Sequence, residues 1–290
     1  ALIFSAVLIV GSLSLLGVKG LNLGIDFLGG ILVEVKTDGP ADVASLRNKI
    51  SNLGLGEVSI QEFGAPDDVL IRVQRQKGGD AQQQEAVGII SEAIKAEVIE
   101  FRRTETVGPT VGAELKEAAI LAVLMAIGAI LLYVWFRFEW QFGLGAVIAL
   151  SHDVLATIGL FSLLGLEFNL ASVAALLTIA GYSINDTVVI YDRVRENMRR
   201  YKSMPLTNLF NKSINETLAR TVMTSVTTLL ALLALVLLGG EVIRGFSIAL
   251  IFGVLIGTYS SVALAVPTLL YLRIERNSDG EGKYSSQSEE

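Results

Sequence analysis

Four ionisable side chains, His152, Asp153, Asp186 and Arg220, stand inside stretches of sequence otherwise nearly free of charge. A charge near the centre of a bilayer costs at least ~2.5–3.5 kcal/mol on insertion scales, so such groups are rarely kept without a role. The chemistry they suit is proton transfer. An aspartate holds or releases a proton according to whether an apolar wall or a guanidinium faces it. Asp186 precedes Asp192 by six residues, roughly 9 Å along a helix, too deep for its short side chain to reach the interface. Arg220 opens the next apolar stretch, where an antiparallel neighbour brings it to similar depth; taken alone, it can also be read as snorkelling outward. Tyr182, Asn185, Thr187 and Thr224 are candidate supporting groups. Thr178, Gly181 and Asn185 make a small polar stripe at steps of three and four, and Gly253, Gly257 and Ser261 repeat a small-residue spacing that lets helices approach closely. His152 and Asp153 are adjacent and point in different directions, so interhelical hydrogen bonding suits them at least as well as ion transfer.

The elements that position these groups must be membrane helices. The chain has 290 residues, 52% hydrophobic and 18% charged, a composition unlike that of soluble domains. Six apolar segments, at 1–18, 118–136, 140–166, 168–191, 218–240 and 245–272, are each near or beyond the ~18–20 residues that cross a bilayer. The first lacks a basic flank and a clean cleavage pattern, and is read as a retained helix. With no Cys and one His, a disulfide scaffold, a thiolate nucleophile and nearly every zinc or haem site are excluded, and neither cofactor nor metal is expected. A net charge of −6 argues against nucleic acid as a partner.

Basic residues set the expected orientation. The connection 192–217 carries Arg193, Arg195, Arg199, Arg200, Lys202 and Lys212 and is predicted to be a solvated cytoplasmic loop; Leu206, Leu209, Phe210, Ile214 and Leu218 fall on one face and are also consistent with a helix along the inner surface. Both termini are then cytoplasmic, the tail 273–290 has no apolar periodicity and is expected to be disordered, and the polar region 19–117 is extracytoplasmic. Within that region Ile31, Val33 and Val35 alternate as a strand, and a helix follows with Pro40 in its first turn. Strands at Val58–Ile60 and Val69–Val73 come next, then a helix that Asp80 and Gln83 would open as a capping box. Ile99 and Phe101 close the set. The expected class is a polytopic α-helical membrane protein bearing a ferredoxin-like α+β domain of order βαββαβ.

Three blocks carry a family resemblance. Leu177–Asn197, with Gly181-Tyr182-Ser183-Ile184-Asn185-Asp186-Thr187 at its centre, is similar to the fourth-helix signature of the SecF branch of the SecD/SecF protein-export family. Gly24-Ile25-Asp26-Phe27-Leu28-Gly29-Gly30 and Thr217–Ser225 resemble two further blocks, with Leu28 where that family more usually has Thr. The resemblance implies a non-enzymatic half-transporter of the resistance-nodulation-division type in a bacterial cytoplasmic (inner) membrane. Its implied partners are SecD, the SecYEG channel with its accessory subunits, the unfolded polypeptide in transit, and protons. It assigns proton passage to Asp186 and Arg220. Two rival classes stand beside it. One is a proton-driven exporter of small molecules or lipids. The other is an intramembrane aspartyl protease using Asp153 and Asp186 as a dyad, which a depth difference of roughly 8–9 Å between them disfavours.

Overall fold

A computed structural model describes residues 1–272; the tail expected at 273–290 lies outside the described residues. The chain opens with α1 (Leu2–Val18), β1 (Asn22–Leu23) and α2 (Ile25–Leu28). The elements of the polar region follow: β2 (Gly30–Thr37), α3 (Val43–Ser51), β3 (Val58–Phe63), β4 (Ala65–Val73), α4 (Asp80–Ile94) and β5 (Val98–Val107). Then come α5 (Pro109–Arg137), α6 (Trp140–Leu164), β6 (Glu167–Phe168), α7 (Leu170–Arg200), α8 (Leu206–Leu238) and α9 (Glu241–Ser260). A π-helical turn (Ser261–Ala265) joins α9 to α10 (Val266–Tyr271).

Among the described residues, five helical stretches are long and apolar enough to cross a bilayer: α5, α6, α7, α8, and the run Val242–Tyr271 through the π turn. Helix α1 has 17 residues, ~26 Å at ~1.5 Å each, short of a ~30 Å hydrocarbon layer. The helices overrun the segments read from hydropathy, because hydropathy marks only their apolar middles. Most of the predicted loop 192–217 is helical: α7 runs on to Arg200, α8 starts at Leu206, and only five residues join them. Helix-spaced pairs hold these extensions, Arg193 to Glu196 at 2.6 Å and Lys212 to Glu216 at 3.0 Å. Arg193 also meets Glu216, and Asn197 bonds Ser213 at 2.9 Å, so the two extensions grip each other. Leu209 and Phe210 are consequently buried in the bundle. They belong to a rod continuous with α8, not to a separate helix lying along a surface.

The four strands β2 to β5 form one sheet in the order β3-β4-β2-β5, every neighbouring pair antiparallel. Its core is Ile31, Val33, Val35, Ile60, Val69, Ile71 and Val73 from alternate strand positions, against Leu46 and Ile50 of α3 and Ala86, Ile90 and Ile94 of α4. Both helix starts differ from expectation. Asp42 caps α3 by accepting from Ser45 N at 2.9 Å, which leaves Pro40 outside it. Helix α4 has no side-chain cap: its N-cap is Gly79, Asp80 is already the first helical residue, and Gln83 turns inward. Its amide accepts from Gln76 N and donates to the carbonyls of Gly30 and Val107 at 3.2 and 3.1 Å, tying the helix to the ends of β2 and β5.

Gly29 and Gly30 place the start of that sheet. Both have positive φ, +70° and +131°, and a Cβ on Gly30 would stand 2.6 Å from the carbonyl oxygen of Val73, so only glycine fits this crossing. Leu28, just before them, is exposed. The two-residue strands β1 and β6 pair in parallel, joining the root of the extramembrane domain to the α6–α7 connection.

Candidate functional site

The polar centre of the bundle forms where α6, α7 and α9 meet. Asp153 on α6 is fully buried, and its Oδ2 accepts from Ser183 of α7 at 2.5 Å and from Ser260 of α9 at 2.7 Å. His152 lies with Nδ1 3.0 Å from Oδ1 of Asp153. Its other nitrogen, Nε2, is buried without a hydrogen-bond partner. Three helices are thus pinned to one carboxyl group, which accepts from both hydroxyls on a single oxygen.

Small residues permit this convergence. A Cβ on Gly257 would fall 3.1 Å from Cβ of Ser183, and one on Gly253 would fall 2.3 Å from Cγ1 of Ile179. Helices α7 and α9 therefore touch along the glycine face that the sequence spacing marks. The π turn begins one residue after Ser260, and such turns inside α-helices are frequent at functional sites. Ser261, the first residue of the turn, donates to Gly257 O at 2.7 Å.

Asp186 lies one turn further along α7 from Ser183. Its side chain is buried, at 3% exposure, and its Oδ2 has no hydrogen-bond partner. Arg220 of the neighbouring α8 is exposed. It is near enough to act electrostatically on Asp186, yet among the described residues no ion pair within 4.0 Å joins them. The site therefore holds Asp186 and Arg220 as unclosed neighbours. The remaining candidates divide by face. Thr187 is buried, and Tyr182 donates to Ser225 at 3.2 Å, which in turn bonds Thr258 at 2.7 Å. Thr224 is half-buried and spends its hydroxyl on the Thr221 carbonyl of its own helix. Asn185 is exposed, in line with exposed Gly181 and Thr178 on α7.

Ser183 and Ser260 on Asp153, and Ser225 and Thr258 beside Tyr182, make two hydroxyl sets whose partners the sequence does not pair, since serine is common in packed membrane helices. The one available signal is that Ser183 shares the Asp186 face and that Ser260 borders the Gly253–Gly257–Ser261 spacing. Asp153 and Asp186 are also closer in depth than expected. Asp153 binds Ser183, three residues before Asp186 on one helix, so the axial offset is about one turn, ~4.5 Å. No hydrogen bond joins the two carboxylates among the described residues, and the contacts of Asp153 go to Ser183, Ser260 and His152.

Long apolar helices, a sheet domain rooted on them and a buried polar seam are the features of a multi-pass membrane protein. Comparison with known proteins gives the family. Residues 88–275 match "Protein export membrane protein SecD/SecF, C-terminal" and residues 14–41 match "SecD/SecF GG Motif", the latter spanning Gly29-Gly30. The chain is 49% identical over 281 residues to the protein translocase subunit SecF of Cereibacter sphaeroides, covering 94% of this chain and 87% of that one. With the SecF subunit of Magnetococcus marinus it shares 50% identity over 275 residues, covering 93% and 88%. The fold is similar to a crystal structure of SecDF, a translocon-associated membrane protein from Thermus thermophilus, with TM-score 0.84 and 39% identity. It is also similar to SecDF in a super-membrane-facing form, with TM-score 0.67 and 40% identity. Each comparison covers 92% of this chain but only 37% of the SecDF chain. The chain belongs to the SecD/SecF family of protein-export membrane proteins.

Proposed function

We propose that the chain acts as the SecF subunit of a bacterial protein-export machine, working with SecD beside the SecYEG channel and using the proton gradient to draw polypeptides outward. The observation that carries this reading is the pairing of a buried Asp186, whose Oδ2 faces no donor, with an exposed Arg220 on the next helix. A buried carboxylate left that way is costly, and two events relieve it: a proton binds it, or a guanidinium closes on it. The two exclude each other. Helix arrangements that favour one or the other are therefore exchanged by protonation. Each elementary charge crossing ~100 mV supplies ~2.3 kcal/mol, enough to shift such an equilibrium more than tenfold. Two SecDF structures of nearly equal identity match this fold with TM-scores of 0.84 and 0.67, which supports more than one arrangement within the family.

In this reading α1 is a sixth span, both termini are cytoplasmic in the inner membrane, and 19–117 is a ferredoxin-like periplasmic domain, an assignment supported by its strand order. SecD covers the face where Thr178, Gly181, Asn185 and Arg220 stand exposed, a polar stripe that lipid would solvate poorly. His152 and Asp153 hold the helices on which the proton group rides. The test is export driven by an imposed proton gradient in vesicles carrying the assembled complex. Asp186→Asn is expected to abolish the gradient-dependent part while assembly stays normal, and undiminished export by a well-expressed variant would remove Asp186 from the mechanism. Asn185→Cys is expected to cross-link to SecD. Accumulation of secretory precursors on depletion separates this reading from export of small molecules or lipids.

A further inference from the structure

The end of the bundle away from the sheet domain carries a basic cavity that the proton chemistry does not use. Its volume is about 450 Å³, and it is lined by Arg137, Asp192, Arg195, Glu196, Arg199 and Arg200. Both carboxylates are already engaged. Asp192 pairs with Arg137 at 2.6 Å, and Glu196 pairs with Arg193, outside the cavity, at 2.6 Å. Arg195, Arg199 and Arg200 make no ion pair among the described residues, so the lining presents three guanidiniums without a carboxylate counterpart. Two of the three are held by contacts other than carboxylates. Arg195 stacks 5.3 Å from the Phe138 ring centre and donates to the Arg137 carbonyl at 3.1 Å, while Arg200 stacks 5.4 Å from that of Tyr201. Guanidiniums fixed in this way spend less entropy when they bind an oxyanion, and their fork suits phosphate.

The surroundings indicate what bears the phosphate. Phe136, adjacent in sequence to Arg137, is 97% exposed and Trp140 is 59% exposed, as aromatic side chains at a membrane–water boundary are. Arg195 and Arg199 lie three and seven residues beyond Asp192 on α7, about 4.5 and 10 Å further from the apolar middle of the helix, which spans the headgroup layer. We infer that this cavity is a binding site for the phosphate headgroup of an anionic membrane lipid, seated between the ends of α5 and α7 with its acyl chains beside Phe136 and Trp140. The inference is independent of the proton reading, since it requires only that the helices span a membrane.

The test uses the full chain purified in a non-ionic detergent, with native mass spectrometry counting retained lipid after addition of phosphatidylglycerol, cardiolipin or phosphatidylethanolamine. The anionic lipids are expected to be retained preferentially. The Arg195→Gln, Arg199→Gln double variant is expected to lower that retention about 30-fold, which corresponds to ~1 kcal/mol for each guanidinium neutralised near an anionic surface. Lys95→Gln, in the sheet domain, serves as control and is expected to change nothing. Helix content by circular dichroism checks that the variants fold. Inorganic phosphate and glycerophosphoglycerol, which share the oxyanion but lack acyl chains, are expected to compete weakly; full displacement of lipid by either would make the site one for a soluble phosphate and overturn the lipid assignment. Equal retention of phosphatidylethanolamine, or a folded double variant with unchanged retention, would overturn the site itself.

Discussion

The hub at Asp153 gives a double-mutant cycle whose size reports the charge on that carboxyl group. Ser183 and Ser260 donate to the same Oδ2, at 2.5 and 2.7 Å, from two different helices. Hydrogen bonds to a charged acceptor contribute ~1.5–3 kcal/mol, whereas neutral interhelical bonds in membranes average ~0.6 kcal/mol. With the carboxyl group ionised, Ser183→Ala and Ser260→Ala, which remove its two hydroxyl donors, are each expected to cost about 1.5–2 kcal/mol. Each single variant leaves Oδ2 one donor. The double variant leaves it none in a fully buried position, so its cost should exceed the sum by about 1 kcal/mol or more. The assay is reversible unfolding of the purified full chain in mixed micelles. Single losses near ~0.6 kcal/mol that simply add would mean a neutral carboxyl group making ordinary contacts, and the account of Asp153 as an ionised anchor for three helices would fail.

Three further outcomes follow from the packing. Gln83→Ala removes three hydrogen bonds, two that tie α4 to β2 and β5 and one from Gln76 N in the β4–α4 connection, and is expected to destabilise the sheet domain by about 2–4 kcal/mol, seen as faster amide exchange at the ends of β2 and β5. Gly253→Ala puts a Cβ 2.3, 2.4 and 2.9 Å from three atoms of the buried Ile179 side chain. It should cost about 1–3 kcal/mol by overpacking, and adding Ile179→Ala should recover part of that loss in the same unfolding assay. In the extramembrane domain the hydrogen bond from Lys36, at 3.2 Å, holds the Asp67 carboxyl below the usual carboxylate range. A depressed value means stability that is present above the unfolded-state value and lost as pH falls through the folded one. Lys36→Met should therefore move the Asp67 midpoint upward in a carboxyl-detected NMR titration.

The extramembrane element order is legible because the apolar period changes from two to about three and a half at each boundary: Ile31, Val33 and Val35 alternate, and Leu46 and Ile50 recur at helix spacing. Helix ends are less legible. Hydropathy stops at the last apolar residue, while α7 and α8 continue through Arg193, Asn197, Ser213 and Glu216, whose contacts across the two helices replace lipid burial. Asp80 and Gln83 have the spacing of a capping box, but the Gln83 amide finds two backbone partners at the ends of β2 and β5, and nothing local in the sequence marks them. The same holds in the membrane. Burial of Asp186 follows from its depth, whereas the partners of Asp153 are 30 and 107 residues away in the chain, and their pairing exists only once α6, α7 and α9 have packed.

Helix α7 connects these regions physically. Its first residue is held from outside the bundle: Leu170 N donates to Asp26 Oδ2 at 2.9 Å, in the segment that leads into the sheet domain. Arg72 of β4 pairs with Glu167 in β6, two residues before the Asn169 cap of α7. Ser183 and Asp186 stand near its middle, and Arg195 and Arg199 near its far end. A single helix of 31 residues is ~46 Å long, and it contains no proline and no π turn. In the proposed cycle, a change in how α7 packs at Asp186 is therefore expected to be carried along the helix, as a displacement of the Asp26–Leu170 and Arg72–Glu167 contacts that seat the sheet domain, and as a shift of the arginines at the opposite end.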